Sequence, residues 1–176
     1  MLHWFIGTLA YLITVATPIL HKYGLFALVG ILFIENLGFI FAPGESIIVT
    51  AGFLAAKGVF SIGLVIPLAI MAAVLGGYAA YWLGAKYGHR GLLRYGRYIW
   101  IKPAMVDKVH HFYTILGAPF VLIGRFVVPL RQLQGYLAGS AEMSFPSFVL
   151  WSTLGGVLWV SVWCGGAYLL AAQIPS

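Results

Sequence analysis

Four long apolar tracts divide the chain, and they differ in whether a polar break interrupts them. Two run unbroken: Val59–Gly84, "VFSIGLVIPLAIMAAVLGGYAAYWLG", and Pro146–Ala172, "PSFVLWSTLGGVLWVSVWCGGAYLLAA". Each exceeds the roughly 20 residues an α-helix needs to cross about 30 Å of hydrocarbon, so each is expected to span a bilayer. The other two tracts are broken in the middle. Residues 23–56 read "YGLFALVGILFI", "ENLGFIFAPGE", "SIIVTAGFLAA", and residues 112–141 read "FYTILGAPFVLIG", "RFVVPLRQ", "LQGYLAGSA". Each apolar half is about a dozen residues, too short to cross alone. Short halves around a polar, proline-containing break predict re-entrant hairpins. Their non-helical backbone must then be buried in protein or line a wet cavity.

A helical-period stretch precedes each hairpin. In the first, Phe5, Leu9, Leu12, Ile13, Ala16 and Leu20 share one face and His3, Gly7, Thr14 and His21 the other. The second opens at Pro103, a favourable first helical position; Met105, Val106, Val109 and Phe112 face one way, Asp107, Lys108, His110 and His111 the other. Such helices can lie in the membrane interface. Residues 4–20 have so weak a polar face that a spanning helix fits them too.

The pattern therefore runs twice: amphipathic helix, broken hairpin, spanning helix. Repeat 1 covers 1–84, with hairpin 23–56 and span 59–84; repeat 2 covers 103–176, with hairpin 112–141 and span 146–172; a basic loop, 85–102, joins them. Pro43 of "FAPGE" aligns with Pro129 of "VVPLR", and Glu45 with Arg131. Ala51-Gly52 and Ala138-Gly139 follow at similar distances, and "LGG" recurs at Leu75–Gly77 and Leu154–Gly156. If each hairpin returns to the side it entered, one span separates the two, and they enter from opposite faces. That is an inverted repeat, with broken segments meeting near the midplane as in many secondary transporters. The expected fold is a single all-α polytopic membrane domain over 1–176.

Composition agrees. Hydrophobic residues make up 62% and charged residues 8%, against about 25% charged in a soluble domain. A β-barrel is excluded, because its strands would alternate apolar and polar. The net charge of +6 is concentrated: six of the ten Lys and Arg are Lys86, Arg90, Arg94, Arg97, Lys102 and Lys108. The positive-inside rule puts residues 85–111 in the cytoplasm, beside anionic headgroups. No interleaving of basic and aromatic residues suggests nucleic acid. Cys164 is alone, so no intrachain disulfide is expected, and no removable signal peptide is expected at the N-terminus. His110-His111 lack the further ligands a metal would need, and no cofactor is expected.

The remaining charges carry the candidate chemistry. Of four acids, Glu35 and Glu45 lie in the first break; of the four basic residues outside the basic segment, Arg125 and Arg131 lie in the second. Charged groups at membrane depth mark substrate or ion pathways, although buried ion pairs can also merely fix geometry. Arginine remains protonated and its fork matches phosphate or carboxylate. Burial favours the neutral form of a carboxylic acid and a neighbouring guanidinium the charged form, so an acid that gains and loses an arginine can bind and release a proton. Asn36, Gln132 and Gln134 add neutral hydrogen-bonding groups, while Pro43, Gly44, Pro129 and Gly139 shape the breaks and the helices after them. No catalytic triad or phosphate-cradling glycine loop is present, and the expected class is a transporter, not an enzyme.

Two stretches resemble the signatures of the DedA membrane proteins: E-N…A-P-G-E…A-G-x-L-A-x-x-G over Glu35–Gly58, and G-R-F-x-x-P-x-R…A-G-x-x-x-M-x-x-x-x-F over Gly124–Phe148. The helix between them, L-G-G-Y-x-x-Y-W-L-G-x-x-Y-G over Leu75–Gly88, is also similar. The resemblance implies two re-entrant hairpins in inverted repeat and transport of a lipid-linked phosphate across the cytoplasmic (inner) membrane, best defined as the return of undecaprenyl phosphate to the cytoplasmic face. It implies phosphate contacts for Arg125 and Arg131 and proton coupling, or Na+ coupling, through Glu35 and Glu45. One position departs: many members carry an acid where this chain has Gly77. Phospholipid flipping or scrambling, proton-coupled transport of a small solute or ion, and a structural scaffold are the alternatives. The expected partners are membrane lipids, a lipid phosphate and protons; homo-oligomers are compatible.

Overall fold

The computed structural model describes residues 2–39, 42–95, 111 and 119–173. Six helices account for most of them: α1 Leu2–Asn36, α2 Gly44–Ala56, α3 Ile62–Tyr95, α4 Pro119–Gly124, α5 Val128–Ser140 and α6 Phe145–Ala172, which contains a π-helical turn at Ser161–Gly165. Among the described residues the fold is all-helical, and it is that of a polytopic membrane protein.

The three stretches long and apolar enough to span a membrane are Thr14–Asn36, Ile62–Tyr87 and Phe145–Ala172. The first is divided by Gly24, at φ 59 and ψ −147. A side chain there would meet nothing within 4 Å, so the glycine is required by its dihedral angles, which only a residue without Cβ adopts freely. Beyond it, 25–36 forms an arm of about 18 Å, too short to cross. Residues 4–20 fall in the part of α1 before this break. Within that part, Ala16 and Leu20 of the expected apolar face are buried, whereas Thr14 and His21 are exposed.

The first break lies between Asn36 and Gly44. Turns satisfy its backbone: the Gly38 amide donates to the Glu35 carbonyl at 3.0 Å and that of Ala42 to Phe39 at 3.2 Å. Pro43 caps α2, and Glu45 stands in its first turn, where a negative charge suits the helix dipole. The second break is shorter, with amides of Arg125, Phe126 and Val127 bonded three residues back at 3.1–3.3 Å. Proline then occupies the first turn of α5, where its missing N–H costs no helical bond. At 13 residues each, α2 and α5 extend about 20 Å, short of a bilayer.

The span α3 continues past Gly84 to Tyr95, so Lys86, Arg90 and Arg94 stand on helical backbone rather than in a loop. No proline interrupts that stretch, and its length beyond the apolar run was invisible to hydropathy. The rest of the basic segment, the amphipathic helix expected from Pro103 and the first residues of hairpin 112–141 lie outside the described residues. The second span begins at Phe145, one residue from its expected start, with Pro146 in its first turn.

Glycines let these helices touch backbone to backbone. A Cβ on Gly52 of α2 would strike the Cys164 carbonyl of α6, and one on Gly139 of α5 the Tyr81 carbonyl of α3. Each helix after a break thus packs, through the glycine of its Ala-Gly pair, on the span from the other half of the chain. One apolar core gathers α1, α2, the first part of α3 and Trp159, Val160, Cys164 and Ala167 of α6. A second gathers Tyr81, Phe120, Val121, Leu133, Leu137, Ala138 and Phe148. Large apolar side chains such as Phe26 (89% exposed) and Leu169 (63%) point away from both, as lipid-facing residues do.

Candidate functional site

Where the two cores meet, the charged residues of the two breaks come together. Arg131, on the first turn of α5, is 2% exposed, and Glu35, on the last turn of α1, is fully buried. The Arg131 Nη2 donates to Glu35 Oε1 at 2.6 Å, and its Nη1 lies 2.7 Å from Oε1 of Glu45, an ion pair whose angles fall short of a hydrogen bond. Glu45 is partly exposed, at 27% of its side chain. Gln132 donates to the same Glu35 oxygen at 3.3 Å. The other Glu35 oxygen, Oε2, is buried with no hydrogen-bond partner. It faces Gly44, where a Cβ would overlap the carboxylate. One guanidinium therefore serves two acids from the opposite break.

Arg125 is held quite differently. It is fully buried, yet its Nη1 donates to the Ser152 carbonyl at 3.0 Å and to the Ser152 hydroxyl at 3.1 Å, and its Nη2 to Asn36 Oδ1 at 3.2 Å. Asn36 is fixed for that role by donating its own amide to the Leu32 carbonyl at 2.8 Å. With its amide oriented to suit its neighbours, Gln134 accepts from Arg125 at 3.0 Å and donates to the Val121 carbonyl at 2.7 Å. Among the described residues no carboxylate lies within 4 Å of Arg125. Its direct hydrogen-bond partners are neutral, and its Nε remains without a partner. Room for the side chain comes from Gly155 and Gly156 of α6: a Cβ on the first would lie 3.2 Å from Arg125 Cδ, and one on the second 3.4 Å from Nη2.

The structure thus brings Glu35, Asn36, Glu45, Arg125, Arg131, Gln132 and Gln134 into one cluster, with Gly44 against it. Pro43 and the proline at 129 sit where α2 and α5 begin. Gly139 stands away from the charges and seats α5 on α3. Two contributors escaped the sequence reading. Ser152 is one polar residue among several in an apolar span. Trp159, whose ring lies 4.6 Å beneath the Arg131 guanidinium carbon, is one of several tryptophans in the apolar runs, with nothing local to tie it to a charge. The repeated "LGG" was the available signal, since its second copy frames Arg125.

Comparison with known proteins places these features in a family. The model of the VTT domain matches residues 42–169, an interval that holds Glu45, Arg125 and Arg131. An uncharacterized membrane protein of Synechocystis sp. is 36% identical over 141 residues, 80% of this chain and 64% of the relative. Protein DedA of Escherichia coli (strain K12) is 28% identical over 130 residues, 73% of this chain and 59% of its own. Inner membrane protein YqjA of the same strain is 32% identical over 162 residues, 89% of this chain and 72% of the relative. The chain thus spans about three-fifths of the length of the first two. No solved structure matches it.

Proposed function

Given that this chain belongs to the VTT-domain family, we propose that it is a transporter of a lipid-linked phosphate, driven by protons, with undecaprenyl phosphate as its substrate. The observation that carries the proposal is Arg125: a fully buried cation with neutral partners only. A purely structural charge cluster would balance each buried cation with an acid, since an uncompensated buried charge is costly. A site that awaits an anion leaves one cation open to it. The exposed apolar surface fits a lipid carrier of that anion, and the packing of α2 and α5 on exchanged spans supports the inverted repeat. In this reading the basic segment 85–111 lies in the cytoplasm and the protein in the inner membrane.

Coupling follows from the pairing of Arg131. Its two terminal nitrogens each face a carboxylate, and in this reading phosphate takes the place of one acid. Protonation removes the acid's charge and weakens its hold. Proton and phosphate therefore bind together, and phosphate affinity rises as pH falls. An outer face more acidic than the cytoplasm loads the site outside and empties it inside. The decisive measurement is translocation of a fluorescent polyprenyl monophosphate in liposomes, with and without an imposed pH gradient. The gradient should accelerate wild type several-fold, while Glu35→Gln and Glu45→Gln should be indifferent to it. Wild-type translocation that ignores the gradient, with both variants equal to it, removes proton coupling through these acids. Preference for a glycerophospholipid over the polyprenyl phosphate would favour the scramblase reading instead.

Gly77 offers a second prediction. A Cβ there would sit 3.5 Å from the Ser152 hydroxyl, an ordinary contact, and that hydroxyl already accepts from Arg125. Gly77→Asp should place a carboxylate beside Arg125 without disturbing the helix. Binding of the polyprenyl monophosphate should weaken about tenfold at neutral pH, in line with a buried charged hydrogen bond, and recover at acid pH. Unchanged affinity at both pH values would mean that the anion does not use Arg125.

A further inference from the structure

We infer that Trp159 is a positioning residue for the anion site, its indole face holding the Arg131 guanidinium plane while the acids on the guanidinium edge give way to phosphate. The inference rests on the anion-transport reading above.

A guanidinium is planar. Its N–H groups lie in that plane; Nη2 donates to Glu35 at 2.6 Å, and Nη1 lies 2.7 Å from Glu45 as an ion pair. Its face can stack on an aromatic ring, and the Cζ lies over the Trp159 ring, 4.6 Å from its centroid. Carboxylate and phosphate compete for the edge, whereas the indole competes with neither. Of the groups that hold Arg131, Trp159 alone can keep its place through the exchange. Its grip is strong because the site is dry: Trp159 is 1% exposed and Arg131 2%, and cation–π attraction is largest when desolvated.

The position of Trp159 along α6 is a separate observation. Ser152, Gly155, Gly156 and Trp159 follow the i, i+3, i+4, i+7 spacing of one helix face. The first three accept from or make room for Arg125, and the fourth underlies Arg131. One face of the second span therefore addresses both arginines of the second break, and Trp159 belongs to that face as well as to the apolar core.

The test changes the electronics of the ring and leaves its shape. Tryptophans carrying one to four ring fluorines, incorporated at position 159 alone, drain the ring's negative face while barely altering its size. Binding of a polyprenyl monophosphate to the protein in nanodiscs should weaken stepwise with each fluorine, by about tenfold across the series, as loss of a desolvated cation–π contact requires. Trp159→Phe should fall between wild type and the most fluorinated protein. Affinity that stays flat across the series, with the wild type binding, overturns the inference alone. Failure of the wild type to bind the probe overturns the parent reading, and this inference with it.

Discussion

Arg131→Lys should fold and insert normally yet translocate lipid phosphate roughly 100-fold more slowly than wild type, a loss comparable to about 3 kcal/mol of transition-state binding. The guanidinium makes three contacts at once: Nη2 with Glu35, Nη1 with Glu45 and its face with Trp159. An ammonium preserves the charge but is a compact point with no fork and no face. It can approach one acid closely and leaves the other short of a partner. Because the charge remains, neither acid is left wholly uncompensated. The larger penalty of roughly 3–5 kcal/mol for removing one member of a buried pair should therefore appear in Arg131→Leu and not in Arg131→Lys. Thermal unfolding in detergent, measured beside the liposome assay, separates the two losses. Full transport by the lysine variant would reduce Arg131 to a charge balance.

Gly44→Ala should abolish the response of transport to a pH gradient at a smaller cost in stability than a methyl on Gly52 or Gly139, which would strike backbone. A Cβ on Gly44 would land on the Glu35 carboxylate, whose Cδ and both oxygens are its nearest neighbours. A carboxylate at the end of a side chain can be displaced more easily than backbone. The substitution should thus cost about 1–3 kcal/mol of stability, as overpacking typically does, while driving Glu35 away from Arg131 and Gln132. Transport should fall at least as far as in Glu35→Gln, and its response to the pH gradient should disappear. Gly165→Ala is the matched control. A Cβ at Gly165 meets nothing within 4 Å, its backbone is in the ordinary helical region, and the change should be silent. Equal behaviour of the two alanine variants would remove the steric argument.

Hydropathy located the long elements. The two unbroken runs became long apolar helices, and among the described residues both interrupted tracts contain a break followed by a short helix. The reason is local: crossing hydrocarbon demands a minimum length of apolar sequence, and any break at that depth needs its own hydrogen bonds, proline and glycine signals. Charge scarcity did the rest. Where 8% of residues are charged, four charges inside apolar tracts stand out, and Glu35, Glu45, Arg125 and Arg131 were legible as candidates that the fold brings together. The division of α1 at Gly24 and the continuation of α3 to Tyr95 do not show in hydropathy, because a glycine's dihedral angles leave apolarity unchanged and a helix can outrun the apolar stretch that anchors it.

Partner choice was decided by the tertiary structure. Glu45 and Arg131 occupy matching places after the two breaks, and they do pair. Arg131 also takes Glu35, while Arg125 receives neutral acceptors from Asn36, Ser152 and Gln134. Glu35 and Arg131 are 96 positions apart. The sequence by itself determined that this is a multi-pass membrane protein with oppositely charged breaks, because burial in lipid acts on each segment's composition. Only the folded chain decided which oxygen meets which nitrogen, that Gly44 leaves space for a carboxylate, and that Trp159 lies beneath a guanidinium. Those outcomes depend on ångström-scale packing between segments that share no local pattern.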